Sequence, residues 1–292
     1  MVTGPALAAH PAQHSVAVGG AVGTPASYTL AQLEALPQTT LPAVKGDRHT
    51  YEGVSLQDLV NLSQPQIPGA PVKNGLLRVT VTVTGRSSTT VALGELDASF
   101  GAHPAYVLLK RDGSELRGGP QLDIPGDTTG TRGVRDVSAI TVGVQNPAPA
   151  TAAQPGDVTV VHGSRTTVLS ARQLARLPQR TRNVSFLAGA APRTYAETGP
   201  SLLSVLDKAH VRITRNTWVA SVAGADGYVA TVTPAEALTG GRPLLLALTE
   251  TATGATPPST PGSTPRLVAD GDVKGGRYNS GVTTLVVGEG SG

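Results

Sequence analysis

The strongest constraint on this chain is an internal repeat. Gly126-Asp127-x-x-Gly130-x-Arg132 recurs as Gly271-Asp272-x-x-Gly275-x-Arg277, 145 residues later. Self-similarity at a fixed offset marks a chain built from related units. The match sits inside a longer ordered series. Near each start, residues 29–36 and 170–177 carry Leu33/Leu36 and Leu174/Leu177 at i, i+3 spacing, a short apolar helical stripe. Thr29 and Ser170 suit the N-cap, where a hydroxyl accepts a free backbone N–H. Both segments stop at Leu-Pro-Gln (36–38 and 177–179), since proline cannot continue a helical ladder.

The series continues in register. Thr50-Tyr51 with Gly53-Val-Ser-Leu56 pairs with Thr194-Tyr195 and Gly199-Pro-Ser-Leu202, and each Ser opens a second apolar helix. Residues 77–83 alternate with period two, the mark of a half-buried strand, and 218–222 take the same place. His103-Pro104 and Arg242-Pro243 each lead into a buried apolar strand. Each Gly-Asp loop runs into a final strand, 137–144 or 282–287. The pattern predicts an α+β fold of two tandem mixed domains, strand-rich with short helices.

The chain has 292 residues, a comfortable length for two domains. The expected division is a flexible tail over 1–14, a first domain over 15–145, a Pro/Ala linker over 146–156 and a second domain over 157–292. Residues 145–155 hold three prolines and no periodicity, the composition of an extended, solvated spacer. A Thr/Pro/Ser/Gly-rich stretch over 249–265 reads as a long loop. Ala6-Leu7-Ala8 looks like a signal-peptidase step, although no charged or long apolar segment precedes it. The expectation is an exported protein, with a cytoplasmic one left open.

Composition excludes several classes. There is no Cys, so disulfides, zinc-thiolate sites, iron–sulfur clusters and cysteine nucleophiles are ruled out. The net charge is +3 with no basic arm, and aromatics are scarce (Trp 1, Tyr 6, Phe 2), so no nucleic-acid partner is expected. No apolar run reaches the roughly 18 residues of a transmembrane span.

The repeated loop is the best site candidate. Its glycines permit close backbone approach, and consecutive N–H groups can form an anion nest. Arg132 and Arg135, or Lys274 and Arg277, would add donors suited to phosphate or carboxylate. The same residues also read as a structural turn whose Asp caps the backbone. Glu95 and Asp97 read as the solvated face of a short helix, and His103 as a satisfied structural histidine. His10 and His14 lie in the tail and are not expected to bind metal, while Tyr51 and Tyr195 read as core aromatics. No Gly-x-Ser-x-Gly elbow is present.

Each half resembles the oxidoreductase molybdopterin-binding domain, the fold of the sulfite oxidase family. The resemblance covers about 28–144 and 166–288. It rests on Tyr-Thr-Leu-Ala-Gln-Leu-Glu-Ala-Leu-Pro (28–37), Thr-Tyr-Glu-Gly-Val-Ser-Leu-Gln-Asp-Leu (50–59), residues 106–116 and 124–137, Gly-Ala-Asp-Gly-Tyr (224–228) and residues 271–278. It implies that Gly126, Asp127, Gly130, Arg132 and Arg135, with Gly271, Asp272, Lys274, Gly275 and Arg277, hold the pterin and phosphate of molybdopterin. Thr129 stands where the second half has Lys274, and Ser280 where the first has Arg135. The family's molybdenum-ligating cysteine would fall within 40–44 or 184–188, and neither stretch holds one. A soft thiolate has no substitute among hard ligands, so only the pterin part is expected, without molybdenum. The resulting expectation is a non-redox binding module for a pterin-type or other anionic small ligand. Two alternatives stay open: an envelope structural or interaction protein, with an envelope protein as partner and a vestigial cleft, or a molybdopterin-dependent oxidoreductase needing a partner subunit.

Overall fold

The computed structural model describes residues 14–41, 48–68, 73–152, 154–253 and 265–290. Each half is built on a five-stranded sheet of the same order. In the first half the order is Ala26–Thr29, Ser15–Gly20, Ala139–Val144, Val79–Thr84, Ser88–Ala92. In the second it is Arg165–Leu169, Val158–His162, Val282–Glu289, Trp218–Gly224, Val229–Val232. In both, the half's first strand runs parallel to its last, and every other pairing in the sheet is antiparallel. The strand-rich α+β architecture expected from the repeat is what the chain adopts.

The remaining strands differ between halves. In the first they form one sheet, ordered Val134–Arg135, Gln121–Asp123, Tyr106–Arg111, Tyr51–Ser55, Thr39–Leu41. In the second they split. Gln179–Ala188 and Ala191–Pro200 make a ten-pair hairpin joined by Thr249–Ala252, while Leu244–Ala247 pairs with Arg266–Ala269. The 249–265 stretch is therefore not all loop: it opens with a strand, and residues 254–264 lie outside the described ones.

The first helices form where expected, at Leu30–Glu34 and Ala171–Ala175, each opened by a full capping box (Thr29 with Gln32, Ser170 with Gln173). The Gln after each Leu-Pro completes the stop. Gln38 Nε2 donates to the carbonyls of Leu33 and Leu36, and Gln179 Nε2 to those of Leu174 and Leu177, satisfying orphan acceptors at the helix end. Ser55 and Ser201 cap the second helices, Leu56–Leu62 and Leu202–Lys208.

Each half has its own apolar core, one drawn from residues 16–142 and one from 158–287. A third cluster, Val184, Phe186, Tyr195, Leu245, Ala247, Val268 and Tyr278, belongs wholly to the second half. The linker is not wholly free. Gln145 Nε2 donates to Gly290 O, and Ala150 N to Thr284 Oγ1, so the spacer is tied to the second half at both points.

Candidate functional site

The repeated loops lie at the contact between the halves, and their arginines point inward. Arg132 is fully buried. Its Nε and Nη2 donate to Asp127, and its Nη1 and Nη2 to Glu95, at 2.5 to 3.1 Å. Arg277, also fully buried, makes the same four bonds to Asp272 and Glu236. These paired forks leave neither guanidinium free to reach a ligand. Arg132 and Arg277, expected to donate to a cofactor, direct these donors at protein carboxylates instead. Asp127 and Asp272 are likewise committed, to their own loop arginines.

The glycines serve packing in several places. A Cβ on Gly126 would stand 2.3 Å from His103 Nε2, and one on Gly275 2.6 Å from the Phe186 ring. Gly130 has open space around it and lies in a short 3-10 turn, Gly130–Arg132. Gly271 takes a left-handed φ of +96°, which favours glycine. Arg135 is exposed on the Val134–Arg135 strand and does not line the cleft described below. Of the ten residues expected to bind a cofactor, Lys274 and Gly275 border a cleft.

Glu95 does not sit on a solvated face. It is fully buried, a correction to the expectation from its short helix. Burial opposes its charge, but Arg132 with His103 and the more distant Arg277 hold its carboxyl down at about 2. His103 lies in the interior beside the same two carboxylates. It is buried, with Nδ1 3.0 Å from Glu95 Oε1 and Nε2 3.5 Å from Asp127 Oδ1. Its repeat partner Arg242 reaches Asp272 Oδ1 at 3.0 Å and donates to Gly101 O in the other half. Glu95, His103 and Asp127 would suit a cation by type and spacing, but the Arg132 guanidinium already occupies the space between the carboxylates.

The contacts between the halves are reciprocal. Gly94, beside Glu95, packs on the Arg277 stem, and Gly240, near Glu236, packs on the Arg132 guanidinium. Thr128 Oγ1 donates to Thr239 O, and the equivalent Val273 N donates to Phe100 O. The two Gly-Asp loops are a clasp.

Beside this clasp opens a cleft of about 640 Å³. Lys73 and Phe100 come from the first half; Phe186, Arg266, Lys274 and Tyr278 come from the second. Three cations line it against one carboxylate, Asp226. Arg266 lies at 5.4 to 5.9 Å from the Phe186, Tyr195 and Tyr278 ring centroids, a cation–π arrangement. Three lining residues are more than nine-tenths buried and carry a polar atom with no partner among the described residues: Arg266 Nε, Tyr278 OH and Asn279 Oδ1. Burial, helped by Asp272 and Asp270, raises the Tyr278 hydroxyl well above the ordinary tyrosine range. Sequence reasoning missed Arg266, Phe186 and Tyr278, because the third apolar cluster has no counterpart in the first half's pattern.

A thiolate-held molybdenum does not fit this chain, which has no cysteine. In the second half's candidate stretch, Ser185 Oγ shares a hydrogen bond with Thr194 Oγ1. No helix among the described residues is long and apolar enough to cross a membrane.

No known family profile matches the chain. No curated protein matches it either. Among solved structures, the chain is similar to the sulfane dehydrogenase SoxCD from Paracoccus pantotrophus, at 14% identity and a TM-score of 0.35, over 85% of this chain and 60% of that one. The chain thus spans about three fifths of that chain's length, and a likeness of this degree carries no weight for function.

Proposed function

We propose that this protein is a non-redox binding module that takes a small planar anion into the cleft between its halves. The observation that carries the reading is that three residues lining one cavity, Arg266, Tyr278 and Asn279, each hold a buried polar atom with no partner among the described residues. Each such group costs about 1–3 kcal/mol while unsatisfied, and a bound ligand supplies the missing partners. Arg266 Nε offers a donor and Asn279 Oδ1 an acceptor, so the ligand carries groups of both kinds. Lys73 and Lys274 set the sign of its charge, and the aromatic rings favour a flat body.

A pterin carrying an anionic group meets this description, and it would be held by the cleft rather than by the loop arginines. The test is a fluorescence titration with two probes, 6-carboxypterin and 2,6-naphthalenedisulfonate. At least one is expected to bind, and Lys274→Glu is expected to weaken it tenfold or more. No binding of either probe at millimolar concentration, or equal binding by the variant, overturns the reading. A second reading, an envelope interaction protein with a vestigial cleft, draws support from the commitment of both Gly-Asp loops to the clasp. It predicts that neither probe binds.

A further inference from the structure

Arg266 is one cation shared by two buried carboxylates. Its Nη1 donates to Glu197 Oε1 at 3.3 Å and lies 2.8 Å from Glu250 Oε2. Glu197 is fully buried, and its Oε2 has no partner among the described residues. Arg266 itself borders the cleft, and its Nε has no partner among the described residues. An anion entering the cleft would therefore place a third negative charge on one guanidinium, where little water remains to screen it. The arrangement admits that charge most cheaply if one carboxylate is neutral, and the fully buried Glu197 is the one with an open oxygen to carry the proton.

We propose that the cleft binds its anion together with one proton, taken from solvent onto Glu197 Oε2, so that acid conditions tighten binding. This inference rests on the binding reading above. The surroundings of Glu197 support it from each packed element. Arg266 attracts it from the Arg266–Ala269 strand, Glu250 repels it from Thr249–Ala252, and the Tyr278 phenol, whose own proton Glu197 helps to hold, lies near it. On Gln179–Ala188, Arg182 is its register partner but turns toward Asp270, at 3.9 Å. Burial, with Glu250 adding and Arg266 opposing, pushes the Glu197 carboxyl up to about 7. An anion beside Arg266 weakens the one interaction that favours the carboxylate, and so raises it further.

The sign follows from linkage. Where the complex holds more protons than the free protein, affinity falls as pH rises between the free and bound values. The experiment is calorimetric titration of the full chain with 2,6-naphthalenedisulfonate, whose charge is constant across this range. It is run from pH 6.5 to 8.5 in buffers of different ionisation heat. The expected results are net proton uptake near neutrality and an affinity about tenfold weaker at pH 8.5 than at pH 6.5. Glu197→Gln, a neutral isostere, is expected to bind with no such slope. Binding by the wild-type chain without proton uptake overturns this inference and leaves the binding reading standing. Retention of the full slope by Glu197→Gln also overturns it. Absence of binding of this probe at every pH overturns the inference, and it overturns the binding reading as well when 6-carboxypterin also fails to bind. Should the variant fail to fold, the proton count on the wild-type chain decides alone.

Discussion

At the scale of single residues, the recurring theme is the fork of one arginine against two carboxylates. It appears three times: Arg132 with Glu95 and Asp127, Arg277 with Glu236 and Asp272, and Arg266 with Glu197 and Glu250. Each set is one cation short, and each is completed differently. Arg242 completes the second set, and the imidazole of His103 stands in the matching place in the first. The third set opens onto the cleft through Arg266, and there the proposed proton on Glu197 takes the place of a second cation. Burial makes these partners mutually dependent, because removing one member leaves an uncompensated charge away from water. Arg132→Met is therefore expected to lower unfolding stability by about 3–5 kcal/mol. Urea denaturation checks it. A midpoint within error of the wild-type chain would mean that Glu95 and Asp127 find other partners or stay protonated.

At the scale of elements, two glycines govern how each half's strands cross. Gly53 and Gly199 precede the Ser that caps the second helix in each half. A Cβ on Gly53 would stand 2.4 Å from Val107 O, and one on Gly199 2.1 Å from Leu246 O. Both approaches are to backbone, which cannot swing aside as a flexible side chain can. Gly199→Ala is expected to cost about 1–3 kcal/mol, the usual range for overpacking. Thermal unfolding measures it, and an unchanged midpoint would show that the strand has room to retreat. These glycines were legible as a repeated Gly-x-Ser-Leu, as were the capped helices and the terminal strands, because caps and alternation are local signals. The role of the Gly-Asp loop was not legible. Its spacing suits an anion nest as well as a clasp, and the difference lies in Glu95 and Glu236, whose offset departs from the 145-residue repeat. The cleft residues were hidden for a related reason. Phe186, Arg266 and Tyr278 meet only after the second half's outer sheet has split.

At the scale of the whole molecule, the repeat has become an interface. Each half keeps a separate apolar core, yet the loop that repeats in sequence is the loop that crosses to the other half. Thr90 N donates to Asn216 O, Asn216 Nδ2 to Thr131 O, and Asn74 Nδ2 to Tyr228 OH, so the contact extends well beyond the clasp. Thr80 Oγ1 donates to Gly290 O, tying the Val79–Thr84 strand to the residue that follows the second half's last strand. Buried charges facing each other across the contact also make separation costly, since each half would expose a cluster arranged for burial. Glu95 feels Arg277 from the opposite half as well as Arg132 from its own. The linker then matters for the making of the pair more than for its keeping. A protease site placed between Thr151 and Ala152 tests this. After cleavage the halves are expected to elute together by gel filtration and to unfold in one transition. Two separate peaks, or two transitions, would show that the linker and not the clasp holds the molecule together. They would also remove the cleft, because Lys73 and Phe100 on one side and Arg266 and Lys274 on the other belong to different halves.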